Sequence, residues 1–141
     1  MSSPAADFNS KIIDEFRANA GRVGGMFEAT PLLLLHHTGA RSGERRVNPL
    51  AYLRDAERYV VFASKAGAPT NPSWYYNLKA HPSTVIEVGT ETISVAASEA
   101  GATERERLFR AQAQRTPQFA EYQEKTNRVI PAIILTPTGT S

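Results

Sequence analysis

The sequence predicts an α+β fold, a curled sheet or barrel of about six mostly antiparallel strands with helices set around it. Three observations carry that expectation. Apolar, β-branched runs follow one another across short polar turns, at 47–53 and 59–63 and again at 84–88 and 91–97, which is the pattern of hairpins. Amphipathic helical stretches stand apart from those runs, at 7–20 and after 103. No strand–helix–strand alternation of the parallel kind runs through the chain.

At 141 residues the chain has the length of one domain, able to bury roughly two thirds of its unfolded surface. Its formal charge of +2 is mild, so a strong positive field must be local, and nucleic acid is not an expected partner of the whole surface. The absence of cysteine removes disulfides, iron–sulfur clusters, thiolate zinc sites and thiol nucleophiles together. The N-terminus lacks a charged-then-apolar leader pattern, and no apolar run approaches the ~18 residues of a membrane span. A cytoplasmic protein is expected. Its organisation reads as a helix and glycine-rich loop over 1–30, a barrel domain over 31–137 and a frayed tail over 138–141.

Residues 7–20 place Phe8, Ile12, Ile13, Phe16 and Ala20 on one helical face. This helix is expected to pack on the barrel, the alternative being contact with a membrane surface. Gly21, Gly24 and Gly25 then open a loop in which Met26 and Phe27 fill core space or wall a pocket.

Leu32, Leu33, Leu34 and Leu35 form a continuous apolar run, as in a strand buried on both faces. His36 and His37 end it. Adjacent strand residues point to opposite faces, so these imidazoles do not converge on one ion, and no metal is expected. Next comes Thr38-Gly39-Ala40-Arg41-Ser42-Gly43, which sets a guanidinium and a hydroxyl between two glycines. Glycine lets backbone N–H groups approach a ligand, and the planar donor fork of arginine matches phosphate oxygens. With Arg46 just beyond, the loop reads as a phosphate clamp at a sheet edge. Asn48-Pro49 gives the following strand an edge position, a bulge or a strand start, since proline cannot donate to a central ladder.

Residues 55–58 read as a polar hairpin turn, and the strand after it delivers Ser64-Lys65 to its end. Asn71-Pro72 has the form of an N-cap followed by a first-turn proline, opening a helix over 72–80 that stops before His81-Pro82. Trp74, Tyr75, Leu78 and Asn77 are its inward candidates, and its N-terminal N–H groups would attract an anion or a carbonyl. Gly89-Thr90 reads as a hairpin turn, Thr103-Glu104-Arg105-Glu106 as a capping box, and Thr116-Pro117 as the start of a helix with Phe119 and Tyr122 on one face. A closing strand is expected over 129–135.

No Ser-His-Asp arrangement, P-loop or GxGxxG accompanies these features. A fold that binds and orients without a reagent points to a cofactor that brings the reactivity. The segments Thr38-Gly39-Ala40-Arg41-Ser42-Gly43, Arg46-Val47-Asn48-Pro49-Leu50, Ala63-Ser64-Lys65-Ala66-Gly67, Asn71-Pro72-Ser73-Trp74-Tyr75-Tyr76-Asn77-Leu78-Lys79-Ala80-His81-Pro82, Tyr122-Gln123 and Arg128-Val129-Ile130-Pro131 resemble, in register, the deazaflavin-dependent nitroreductase family of actinobacteria. The resemblance implies a split β-barrel binding reduced coenzyme F-420, a 5-deazaflavin with a phosphate-linked oligoglutamate tail. Its hydride passes to electron-poor acceptors such as nitroaromatics, quinones or activated enones.

By position, the resemblance gives Arg41, Ser42 and Arg46, with Ala40 beside them, to the phosphate and tail carboxylates. It puts the backbone of Val47, Asn48 and Pro49 beside the ribityl chain. Phe62, Ala63, Ser64 and Lys65, with Ser73, Trp74, Tyr75, Tyr76 and Asn77, are the expected lining of the deazaflavin, and Tyr122 approaches from the late helix. Hydride addition leaves an anion needing a proton, and Tyr122 and Ser64 are the candidate catalytic donors. The chain departs from the family pattern at Ala40, where a second basic residue is usual and Arg45 is the nearest substitute, and at Thr116 and Phe119, where tyrosines occur. Two other readings compete: an FMN-binding split-barrel oxidoreductase, and a non-catalytic cofactor carrier or anion-binding module whose basic loop takes nucleic acid, with Arg41, Arg45, Arg46, Arg54 and Arg58 as its cations. A quinone acceptor would bring peripheral contact with the inner face of the cell membrane.

Overall fold

The structure, a computed structural model, describes residues 4–24, 31–64, 67–68 and 70–138. Its elements are helix α1 (Pro4–Ala18), strands β1 (Leu32–Thr38), β2 (Arg45–Ala51), β3 (Leu53–Asp55) and β4 (Arg58–Phe62), helix α2 (Ser73–Ala80), strands β5 (Ser83–Val88) and β6 (Glu91–Glu99), helices α3 (Ala102–Arg115) and α4 (Gln118–Glu124), and strand β7 (Ala132–Pro137). The strands form one sheet in the order β2-β1-β5-β6-β7-β4-β3, every pairing antiparallel. Its two edge strands are joined by the single residue Tyr52, so the edges must lie side by side and the sheet must curl into a barrel. The expected run over 47–53 is therefore two strands, one on each edge, which raises the count from about six to seven among the described residues.

Side-chain alternation then sorts the core. Leu33, Leu35, Tyr59, Val61, Ile86, Val95, Ile133 and Leu135 fill the barrel interior, and α2 closes it with Trp74, Tyr75 and Leu78. The opposite face of β4 and β7 puts Val60, Phe62 and Ile134 against Leu108 and Phe109 of α3 and Phe119 of α4. The other face of β1 meets α1, where Ile12 and Phe16 pack on Leu32 and Leu34. Ile12, Phe16 and, in part, Ile13 are thus taken up by the sheet, whereas Ala20 lies exposed beyond the end of α1 and the Phe8 side chain is outside the described set. No described helix is long and apolar enough to cross a membrane.

Pro49 sits on edge strand β2 opposite Leu34, in a register that runs unbroken from Leu32↔Ala51 to Thr38↔Arg45, so the edge explains the proline without a bulge. Two expected caps are corrected. The cap of α2 is Pro72, one residue later than Asn71, because the Asn71 side chain is taken by Arg128 at 2.7 Å. Helix α3 begins from Gly101, which places Thr103 inside the first turn, and Glu106 turns to Arg105 and Arg110 instead of back to a cap. At the C-terminal end, the Thr138 N–H donates to Ser94 O at 3.0 Å, so the expected fraying does not start there. Residues 139–141 lie outside the described set.

The β3–β4 turn is tied to α3 by charge. Arg107 donates to both carboxylate oxygens of Asp55 at 3.2 Å, and Arg58 bridges Asp55 and Glu104. These donors hold the Asp55 carboxyl at about 2, below its ordinary 3.8. A depressed carboxyl stabilises the fold fully above its unfolded value, and the contribution is lost as pH falls through the folded one. Asp55→Asn is therefore expected to cost on the order of 1 kcal/mol near neutrality, after solvent screening, or a few degrees of Tm. The gap between variant and parent should close as pH falls from 3.8 to about 2. Thermal melts across that range check it, and a gap independent of pH would refute the assignment.

Candidate functional site

The clamp loop is the tip of the β1–β2 hairpin. Its ends are pinned by Gly39 N–H donating to Glu44 O at 2.8 Å and Gly43 N–H donating to Gly39 O at 2.9 Å. Gly43 has φ +73, the left-handed region that favours glycine, and a Cβ on Gly39 would lie 2.4 Å from Ser42 Oγ. Both glycines are thus set by the turn itself. Ser42 Oγ accepts the Glu44 N–H at 3.2 Å, which leaves its hydroxyl hydrogen to point elsewhere. Arg41 and Arg45 have no ion-pair partner among the described residues, and Arg46 meets only Glu44, at 3.5 Å. That pair is exposed on both sides, so it competes weakly with an incoming anion.

Opposite the tip stands the first turn of α2, which no side chain caps. Between them lies a cleft of about 600 Å³ lined by Gly39, Ala40, Arg41, Ser42, Arg46, Ser73, Tyr76 and Asn77. Guanidinium groups, hydroxyls and an uncapped helix start converge on it, which is a donor set for a phosphate or carboxylate. Tyr76 is half exposed there and contributes an aromatic wall.

Loop and helix are joined by a buried polar relay. The Ala40 N–H donates to Asn77 Oδ1 at 2.9 Å, Asn77 Nδ2 lies 3.0 Å from His37 Nδ1, and His37 Nε2 lies 2.7 Å from Asn48 Oδ1. Burial, the neighbouring Arg46 and His36 hold the His37 imidazole below its ordinary 6.5, against the raising effect of Asn48. His36 points to the other face, where it and Arg17 of α1 share the Glu87 carboxylate, each at 2.7 Å. The two histidines therefore serve different faces of β1.

A second anchoring group is Arg128. Its guanidinium donates to Ser64 O and Ala68 O at 3.0 Å and to Asn71 Oδ1 at 2.7 Å, spanning the segment that leads from β4 into α2. Gln123 of α4 fixes the Arg128 carbonyl in turn, at 2.7 Å. Gly67 approaches α4 so closely that a Cβ would lie 2.8 Å from Tyr122 O.

Of the residues singled out in the sequence, Ala40, Arg41, Ser42, Arg46, Ser73, Tyr76 and Asn77 come together on the cleft. Val47 turns to α1, and Asn48 reaches the cleft only through His37. Trp74 and Tyr75 point into the barrel, and the Tyr75 hydroxyl donates to Glu99 at 2.7 Å, beside a separate cavity of about 260 Å³. Phe62 packs its ring on Phe109 and Phe119 at 5.7 and 5.8 Å, so only its backbone faces the segment after β4. Ser64 is half buried at the start of that segment, and Ala63 before it is fully buried. Tyr122 stands edge-on to Phe119 at 5.4 Å, and burial pushes its hydroxyl up, so it holds its proton at neutral pH. Lys65, like Met26 and Phe27, lies outside the described residues. His37 and Arg128 are the groups that sequence reasoning did not assign a role. A signal existed for the first, since an inward-facing Asn77 in a helix must find a buried partner.

The chain resembles known proteins along nearly its full length. A family model described as F420H(2)-dependent quinone reductase matches residues 10–137. An F420H(2)-dependent quinone reductase of Mycobacterium tuberculosis is 38% identical over 125 residues, covering 86% of this chain and 84% of the relative. Among solved structures, an F420-H2 dependent reductase (FDR-A) is 39% identical with a TM-score of 0.69, covering 74% of this chain and 93% of its own. Another, described as a domain-swapped dimer, is 34% identical with a TM-score of 0.70, covering 94% of this chain and 99% of its own.

Proposed function

Since this chain belongs to the F420H(2)-dependent quinone reductase family, we propose that the cleft between the clamp loop and α2 holds the anionic handle of coenzyme F-420. The chain is an oxidoreductase that delivers hydride from the reduced coenzyme to a quinone-type acceptor. The observation that carries the placement is the convergence of Arg41 and Arg46 on the uncapped first turn of α2. The donor set fits a phosphate and carboxylates, so the residues present suit the group. Arg41, Ser42 and Arg46 bind the phosphate and tail, with Ala40 beside them. The backbone of Val47, Asn48 and Pro49 borders the ribityl chain.

The bound coenzyme supplies a hydride when reduced. The rest is the work of this chain: Ser73, Tyr76 and Asn77 shape the wall of the cleft, and Phe62, Ala63 and Ser64, whose carbonyl Arg128 holds, border the ring with Trp74 and Tyr75 behind it, Lys65 being the further proposed lining residue. Reduction of a quinone also takes a proton, and Tyr122, protonated at neutral pH, is the proposed donor, with Ser64 the second candidate. A quinone partitions into lipid, so the acceptor would be met at the inner face of the membrane; Ile12 and Phe16 of α1 are already committed to the sheet.

Anaerobic mixing of the protein with reduced coenzyme F-420 and a small panel of soluble quinones tests this reading. Oxidised-coenzyme absorbance should reappear only with protein and acceptor both present, and Tyr122→Phe should slow it while leaving coenzyme affinity unchanged. Full turnover in that variant would remove Tyr122 from the role. Tighter binding of FMN than of F-420 in parallel titrations would replace the coenzyme assignment.

A further inference from the structure

We propose that His37 is a positioning residue for coenzyme binding: standing between Asn48 and Asn77 as the Nε2–H tautomer, it fixes the Asn77 amide in the orientation that captures the Ala40 N–H and so seats the Arg41–Ser42 tip opposite α2. The inference deepens the clamp reading and rests on it.

The direction of the relay follows from its one end that has no choice. A backbone N–H can only donate, so the atom of Asn77 that meets Ala40 at 2.9 Å is an acceptor, Oδ1. The Asn77 Nδ2 group then faces His37 Nδ1 as a donor, at 3.0 Å. His37 Nδ1 must therefore accept, its hydrogen sits on Nε2, and that N–H donates to Asn48 Oδ1 at 2.7 Å. Each link determines the next. His37 and Asn77 are 3% and 7% exposed, so water does not replace a broken link cheaply.

A second proton on His37 cannot be accommodated. It would set an Nδ1–H against the Asn77 Nδ2–H, and turning the amide over would set Nδ2 against the Ala40 N–H. Either way the tether to the tip is lost. The surroundings oppose that proton as well: Arg46 of β2 and His36 of β1 both push it off, Asn77 is the polar group that α2 presents, and Glu87 of β5 is engaged with His36 and Arg17 on the other face. The relay is thus intact down through the ordinary imidazole value of 6.5 and opens at more acid pH.

The test is titration of oxidised coenzyme F-420 into the parent, His37→Phe, Asn77→Asp and the Arg41→Ala/Arg46→Ala pair across that range. Each variant is compared with the parent at equal pH, so titration of the coenzyme itself cancels. His37→Phe keeps a ring in the site and removes both links, and its Kd near neutrality should rise about tenfold, as loss of a positioned hydrogen bond predicts. The rise should appear in the KM for coenzyme and not in kcat, and the ratio to the parent should shrink in acid as the parent loses its own tether. Asn77→Asp keeps an acceptor for Ala40 and gives a protonated His37 a partner, so its affinity relative to the parent should improve as pH falls. ¹⁵N shifts of the parent imidazole should report Nε2–H, a readout that needs no variant to fold. An Nδ1–H tautomer, or parent-like Kd values for both relay variants while the arginine pair weakens binding, would overturn the His37 inference and leave the clamp standing. Unchanged affinity in the arginine pair would take down both.

Discussion

Arg41→Ala combined with Arg46→Ala is expected to raise the Kd for coenzyme F-420 by about a hundredfold or more, because each charge-assisted hydrogen bond to a phosphate or carboxylate contributes about 1.5–3 kcal/mol. The fold should not notice. Both side chains are exposed, and Arg46 loses only its 3.5 Å contact with Glu44, so Tm should stay within what surface substitutions ordinarily do. Separation of affinity from stability is what makes the double variant informative. Lysine at the same positions keeps the charges and loses the planar fork, so Arg41→Lys with Arg46→Lys should recover only part of the affinity and should be the more salt-sensitive. Glu44→Gln should act the other way, modestly, by releasing Arg46 from its exposed competitor. Fluorescence or absorbance titration of the coenzyme reads all three, and an unchanged Kd in the alanine pair would end the clamp assignment.

The sequence made some of this legible and hid the rest for identifiable reasons. Alternation and apolar run length are local, so the buried strand of leucines, the β5–β6 hairpin and the aromatic helix could be read directly. So could the clamp loop, because its glycines answer to a turn of six residues between Thr38 and Arg45. What could not be read is long-range. His37 and Asn77 are 40 residues apart, and nothing in either neighbourhood says that one amide will serve a histidine and a loop N–H together. The cap of α2 was misplaced by one residue because Asn71 is recruited by Arg128, 57 residues away. Local propensity favoured Asn71 as a cap, and a charged donor from another element outcompeted the helix for it. Tyr52 hides the seventh strand for a similar reason: the corner between two edges exists only once the barrel has closed. Where a polar side chain was misread, the winning partner came from elsewhere in the chain, as with Asn71, or from its own helix, as with Glu106.

The same principle gives the largest expected loss of stability, at Arg105. It looks like one charge among many in the first turn of α3, yet it is 7% exposed, with its guanidinium 4.3 Å over the Phe109 ring. Its Nε donates to Ile130 O at 2.8 Å and its Nη2 to Gln123 Oε1 at 2.6 Å, joining α3, α4 and the entry to β7. Burial lowers its pKa, but a guanidinium stays charged, so the neutral oxygens around it are held by a cation. Arg105→Ala leaves the Ile130 carbonyl without that donor and opens space beside Phe109, and the expected cost is ~3 kcal/mol, or about 10 °C in Tm for a domain of this size. Arg105→Met restores packing without donors and should recover less than half of that loss if hydrogen bonding dominates. The damage should also travel. Gln123 keeps its bond to the Ile130 N–H but loses the cation that orients it, and through its Nε2 it holds the Arg128 carbonyl. Arg128 is what ties Ser64, Ala68 and Asn71 together ahead of α2. Amide exchange at Gly67 and Ala68 should therefore accelerate in Arg105→Ala well below its melting temperature, while β1 and β5 stay protected. Equal Tm in the alanine variant and the parent would mean that the cation is dispensable, and the route from α3 to the segment beside the cleft would fall with it.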